Sequence, residues 1–292
     1  VYNLPSEKLM LNTIKNYIEV LKPRETLLLG FIGVCAVIVG AGGSPSPGIL
    51  LAAVVTILIA SGGANGLTNY LDRDLDAKMG RTQCRVFPTR RIYPAWHGLV
   101  WVLILIAAGL AFSWWLHPYA FAANLVGTVA AVVFRKRVIC VFPQGAVAGC
   151  APVLMGWFAV NPAFSWEIGL ICLLIVAWLP LHVWSVMVSH REQYIGAGLT
   201  FFPMNVSVKS AVAVLLFFAL ALNVVGVSLY FVAGFGWLYL TTAVMLGAMM
   251  LFASTRLVTS YSSRSAWKLY KLSSFPYLGL LFLAMCLDIW LR

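Results

Sequence analysis

Nine stretches of this chain, at about 25–43, 48–71, 94–114, 118–134, 142–160, 166–189, 208–230, 235–254 and 273–291, are long, apolar and almost free of charge. A helix needs roughly 20 apolar residues to cross the hydrocarbon core of a bilayer. In that core every backbone polar group must be satisfied within the protein, so spanning structures are helices or closed barrels. Continuous apolar runs of this length predict helices. The expected fold class is therefore all-α, a polytopic membrane protein with nine transmembrane helices around a central cavity. The chain is 62% hydrophobic and only 10% charged, more apolar than a soluble core of 292 residues requires. The third and fourth stretches nearly meet at His117-Pro118, the least sharply marked boundary.

The cations orient these spans. Lys8, Lys15, Lys22 and Arg24 precede the first, and six more from Arg73 to Arg91 follow the second. Arg135, Lys136 and Arg137 follow the fourth, Arg191 and Lys209 the sixth, and Arg256, Arg264, Lys268 and Lys271 the eighth. Only Arg292 falls at the other side. Basic loops stay cytoplasmic, which predicts a cytoplasmic N-terminus and an external C-terminus, in a prokaryotic cytoplasmic membrane. The net charge of +11 then reports orientation in the lipid bilayer rather than nucleic-acid binding, and makes the cytoplasmic mouth attractive to anions. Residues 1–24 mix polar and apolar side chains and read as an amphipathic segment on the membrane surface; no cleavable signal is evident. A single transmembrane domain over 1–292 is expected. Of the six cysteines, Cys35, Cys150, Cys172 and Cys286 read as small core residues, while Cys84 and Cys140 fall in or near cytoplasmic loops; no disulfide is expected.

Three of the nine acidic residues occupy five positions, Asp72-Arg73-Asp74-Leu75-Asp76, at the end of the second span. Ionisable groups at membrane depth are costly and usually mark a site. On a helix Asp72 and Asp76 share a face and Asp74 points nearly opposite. Asn65, Thr68 and Asn69 add oxygen ligands to the same face. Two carboxylates one turn apart, beside neutral oxygens and a basic stretch, suit Mg²⁺ carried by a phosphate-bearing substrate. The plainer reading is a capped or salt-bridged helix end, neutralised by Lys78, Arg81, Arg85, Arg90 and Arg91.

Those arginines, with Lys136 and Arg137, have the forked or charged donors that clamp a diphosphate leaving group. Topology alone also explains cations in such loops. Arg85 is singled out because it follows the acidic segment closely. Gly80 and Pro88 stop the helix, so 72–91 is expected to be a helix end and an ordered loop. A second charged segment, His190-Arg191-Glu192-Gln193-Tyr194, ends span six and echoes the first, as in a pseudo-repeat around one cavity. Span six also holds His182, two residues after Pro180, either as a packing residue or at a cavity opened by the proline. Trp157, Trp178, Trp184, Tyr194, Phe201 and Phe202 are candidates to line an apolar tunnel or to stabilise a cation, although most tryptophans in such a chain pack or belt the interface.

The segment Asn69-Tyr70-Leu71-Asp72-Arg73-Asp74-Leu75-Asp76-Ala77-Lys78-Met79 resembles the first aspartate motif of the UbiA superfamily of intramembrane prenyltransferases, and most closely the branch that farnesylates protoheme. The resemblance continues at Lys22-Pro23-Arg24, at 148–157, at 178–184, and at Arg191-Glu192-Gln193-Tyr194 followed by Ala197-Gly198. It departs at Thr68, at Cys84-Arg85-Val86, at Gln193 and at Thr200-Phe201-Phe202-Pro203, where the family usually has other residues. The resemblance implies Mg²⁺ on Asp72 and Asp76, and Arg85 beside the breaking bond. It implies farnesyl or another isoprenyl diphosphate held by Asn65, Thr68, Asn69, Arg81, Lys136, Arg137, Arg191, Glu192 and Tyr194. His182 stands where this branch carries a histidine associated with the haem B acceptor. A related enzyme with a quinone precursor or lipid-like alcohol as acceptor, and a non-enzymatic transporter, remain alternatives. Concentration of polar residues at the ends of spans two and six favours a one-sided site over a transport path.

Overall fold

A computed structural model describes residues 6–133 and 142–292, with side chains from residue 10 onward in the first segment. The described residues are helical throughout their ordered elements. The order is α1 (Ser6–Val20), α2 (Pro23–Gly40), α3 (Pro47–Leu71), α4 (Arg73–Asp76), α5 (Trp96–Leu116), α6 (Pro118–Val133), α7 (Phe142–Phe158), α8 (Trp166–Ser189), α9 (Arg191–Gly196), α10 (Val208–Val232), α11 (Trp237–Ser260), α12 (Ser263–Leu272), a π-helical segment (Ser273–Gly279) and α13 (Leu280–Trp290).

Seven of these elements are long and apolar enough to cross a membrane, counting 263–290 as one. The shorter α6 and α7 occupy the fourth and fifth expected spans. A helix therefore stands in each of the nine stretches. Many large apolar side chains face outward, among them Leu51, Phe112, Trp115, Phe217, Val224 and Phe252. Water would penalise such a surface, whereas lipid tails solvate it. The inner faces meet through small residues. A Cβ at Gly156 of α7 would sit 2.1 Å from the carbonyl oxygen of Gly33 on α2, so only glycine lets these two helices approach so closely.

Two expected boundaries move. The last span was expected over 273–291, yet the helix begins at Ser263, ten residues earlier. Its first turns carry Arg264, Lys268 and Lys271 on one face and bury Ala266 and Leu269 on the other, an amphipathic pattern that a search for apolar runs passes over. It then kinks at Ser274, with ψ −138°, just before Pro276. Likewise the acidic segment does not lie within one continuous helix. α3 ends at Leu71, Asp72 sits at the joint, and the one-turn α4 follows. Helical hydrogen bonding nonetheless passes through the joint, from Asp72 N–H to the Thr68 carbonyl at 3.0 Å and from Asp76 N–H to the Asp72 carbonyl at 2.8 Å.

Candidate active site

Asp72 and Asp76 stay on a common buried side across the break in the helix. Asp72 and Asp76 are 5% and 0% exposed, whereas the Asp74 side chain is 68% exposed and approaches only Arg73. Asp76 Oδ2 accepts a 2.7 Å charge-assisted bond from Arg85 Nη1, which also reaches Asn69 Oδ1 at 3.3 Å. Asp76 Oδ1 is buried and has no hydrogen-bond partner. A bare carboxylate oxygen in the interior costs free energy, and such an atom in a native fold requires an explanation.

The neutral oxygens above the acids are tied into the start of α2. Lys22 has a left-handed backbone, φ 52°, uncommon for a residue with a side chain. Its Nζ donates to Thr68 Oγ1 at 2.9 Å, and Thr68 Oγ1 donates to the Asn65 carbonyl. Asn65 Nδ2 donates to Thr26 Oγ1, and Asn69 Nδ2 to the Val20 carbonyl. Thus Asn65, Thr68 and Asn69 join the site to 20–26 and do not form a simple ring of free oxygens. Lys22, to which the sequence alone assigns no role, joins α2 to α3 in this arrangement. Its signal was the Lys-Pro pair immediately before a span. A small cavity of about 70 Å³ is lined in part by Ser61, Asn65, Asn124 and Thr128.

The two charged segments do meet. Arg81 Nη2 donates to the Tyr194 hydroxyl at 3.1 Å, and Arg81 N–H to Gln193 Oε1 at 3.3 Å. A cavity of about 360 Å³ opens between Asp74, Leu75 and Lys78 on one side and 197–201 on the other. Gln193, although uncharged, thus supplies a contact between the half-sites. The Arg191 guanidinium donates three of its five N–H groups to the carbonyls of Pro203, Met204 and Val206 at 2.7–2.8 Å, so it holds the 203–206 turn. Glu192 is exposed. Arg91 is committed to Glu19 of α1 through two bonds of 2.5 and 2.7 Å. That hydrogen bond holds the Glu19 carboxyl below its ordinary range. Lys136 and Arg137 lie outside the described residues.

His182 lies on α8, half-buried, stacked on Trp178 with centroids 4.8 Å apart and flanked by Tyr270 at 4.8 Å. Tyr270 lies within electrostatic range of Arg81, Arg85 and Tyr194, which links the histidine to the acidic end of α3. Trp267 continues the series of rings from Tyr270 toward His190. By contrast Trp184 packs among Phe142, Phe202 and Phe218, and the Trp157 indole N–H is held by the Ala163 carbonyl; both serve packing.

No three His, Cys, Asp or Glu side chains cluster closely enough for an all-protein metal cage among the described residues. Two carboxylates with one bare oxygen instead fit a cation that brings its remaining ligands with it, as Mg²⁺ does with phosphate and water.

These features define an integral membrane protein of the helical class with a buried acid–arginine site at one end of the bundle. Residues 27–275 match the model of the UbiA prenyltransferase family, and the chain belongs to that family. It is 37% identical over 287 residues to a protein of Desulforudis audaxviator named protoheme IX farnesyltransferase, covering 96% of this chain and 90% of that one. A protein of the same name from Symbiobacterium thermophilum is 30% identical over 285 residues, with 94% of each covered. The fold is also that of a digeranylgeranylglyceryl phosphate synthase structure, with TM-score 0.76 at 14% identity, covering 95% of this chain and 98% of that one. A UbiA homologue from Archaeoglobus fulgidus bound to GPP and Mg²⁺ superposes with TM-score 0.66 at 14% identity, over 94% and 99% of the two chains.

Proposed function

We propose that this prenyltransferase moves a farnesyl group from farnesyl diphosphate to a vinyl group of protoheme IX, with one water supplying a hydroxyl to the same group and diphosphate leaving. The observation that carries the reading is Asp76, fully buried, with one oxygen on Arg85 and the other bare, and with buried Asp72 one turn before it. Asp72 and Asp76 would hold Mg²⁺, which supplies Lewis-acid stabilisation of the diphosphate charge when bound. Arg85 and Arg81 face the leaving group and take up charge as its C–O bond breaks. Lys22, on Thr68, lies above the acidic end of α3 and adds a third cation to that mouth. The farnesyl chain and the allylic cation lie in the apolar interior, where exclusion of bulk water prevents early capture. Trp178 and Tyr270 pack against the faces of His182 and leave an edge of its ring to meet the acceptor. The site opens to the cytoplasm, with the N-terminus inside, as the one-sided cations require. The names of the curated relatives support the choice of donor and acceptor.

The test is incubation of the purified protein with haem B, farnesyl diphosphate and Mg²⁺, followed by mass spectrometry. The expected product is haem carrying one farnesyl group and one added hydroxyl, absent when the metal is chelated. Farnesyl diphosphate turnover that leaves haem unchanged, but prenylates a quinone precursor or lipid alcohol, would reassign the acceptor.

A further inference from the structure

The kinked end of α12 brings two serine hydroxyls to one nitrogen of His182. His182 Nδ1 lies 3.2 Å from Ser273 Oγ and 3.5 Å from Ser274 Oγ. A serine hydroxyl has one hydrogen to give. Ser273 Oγ gives its own to the Tyr270 carbonyl at 2.8 Å, and Ser274 Oγ gives its own to the same carbonyl at 2.9 Å. With both hydroxyls directed at that carbonyl, the two oxygens face His182 with lone pairs, and Nδ1 is the group that supplies the hydrogen. The kink at Ser274 is what turns two successive hydroxyls toward one carbonyl and one imidazole. Trp178 Nε1 fixes the same segment by donating to the Ser273 carbonyl. With Trp178 stacked on one face and Tyr270 against the ring, rotation that exchanged the two nitrogens would lose both hydroxyl contacts. In that tautomer Nε2, on the other edge of the ring, carries a lone pair.

We propose that Ser273 and Ser274 are positioning residues that hold His182 as its Nδ1–H tautomer, so that Nε2 takes the iron of the haem acceptor. This rests on the reading that His182 faces that acceptor. A hydrogen bond accepted from the distal N–H fixes ring orientation and raises ligand basicity, which is how outer partners tune metal-ligating histidines. A fixed tautomer and ring orientation would then hold the acceptor's iron at one point of the site.

The tautomer is read without haem by ¹⁵N NMR of histidine-labelled protein, which has four histidines, with His182 assigned by its loss in His182→Gln. The expected spectrum shows a protonated Nδ1 and a bare Nε2; a protonated Nε2 would overturn the proposal. With ferrous haem, resonance Raman should show an iron–histidine stretch that moves to lower frequency in Ser273→Ala/Ser274→Ala. Haem affinity should fall about 10- to 100-fold, the usual effect of losing such a partner. Ser273→Thr, which keeps a hydroxyl, should restore both, and retained farnesyl diphosphate binding shows that the variants are folded. An unchanged stretch and affinity in the folded double variant would remove the serines from any positioning role. If the parent protein gave the Nδ1–H tautomer but bound no haem, the acceptor reading and the iron contact would fall, while the tautomer assignment would stand.

Discussion

Asp76 and Asp288 are both buried carboxylates joined to an arginine, and they sit at opposite ends of the bundle. Asp76 follows the C-terminus of α3. Asp288 lies by the other end, where its neighbour Trp290 donates to the Gly43 carbonyl just before α3 begins. Asp288 is saturated: its oxygens accept from Gly236 N–H at 2.5 Å, Tyr239 N–H at 3.1 Å and Arg292. It caps α11, and both of its oxygens are bonded within the protein. Asp76 has the same burial and a comparable arginine, yet one oxygen is bare. A carboxylate kept for stability completes its bonds within the fold, whereas one kept for a ligand leaves part of its capacity open. The contrast separates a structural acid from a working one more sharply than burial or charge pairing does.

The widest gap between the two should appear on neutralisation. Asp76→Asn and Asp72→Asn are expected to lower turnover by at least about 10²- to 10³-fold, the scale seen when a transition-state charge stabiliser is lost, while the protein stays folded in detergent. Asp74→Asn, on the exposed side, should be far milder. Asp288→Asn should leave turnover per folded molecule near that of the parent. Assays of prenyl transfer normalised to folded protein check all four. Dependence on Asp74 with Asp72 dispensable would break the argument from the shared face.

Removing the arginines sharpens the comparison next. Arg85→Met strands a buried carboxylate and is expected to cost up to about 3 kcal/mol of stability, together with loss of transfer. Arg292→Met leaves Asp288 its two backbone donors. Arg292 is also nearly half exposed, so about 1 kcal/mol or less is expected. Thermal unfolding in a fixed detergent measures both, and equal losses would show that the two pairs do the same job. Asp288→Ala should then cost about 1–3 kcal/mol through the orphaned N–H groups at the start of α11, again with little change in turnover.

How much of this was legible in the sequence follows the same division. Apolar length gave the spans, and the helical period correctly placed Asp72 and Asp76 inward and Asp74 outward, because both signals are local. The start of α12 was missed because its cations resemble a loop when only hydropathy is read. Arg191 also holds three carbonyls of a turn 12–15 residues away, a second use of its donors that its place in the motif does not announce. Which acid has a bare oxygen, and which serine faces His182 across 91 residues, depends on tertiary contacts that no spacing encodes.

The smallest effect concerns a third kind of acid–arginine pair, neither saturated inside the fold nor left open for a ligand. Glu19 of α1 and Arg91 hold the amphipathic helix to the loop after α4, and both side chains are about one-third exposed. The hydrogen bond from Arg91 lowers the Glu19 pKa, with burial opposing it more weakly. A carboxylate with a lowered folded-state pKa adds stability that is present in full above its unfolded pKa and is lost as pH falls through the lowered value. The attachment of α1 should therefore hold at neutral pH and loosen only below the ordinary carboxylate range. Solvent screening limits its worth to about 0.5 kcal/mol. Hydrogen exchange of residues 10–20 in nanodiscs, followed from neutral to acid pH, should show protection that drops with acidification in the parent. In Glu19→Gln the protection should start slightly lower and lose that step. The same step in both proteins would assign it to another group, and leave Glu19–Arg91 as a surface contact with no measurable hold on the helix.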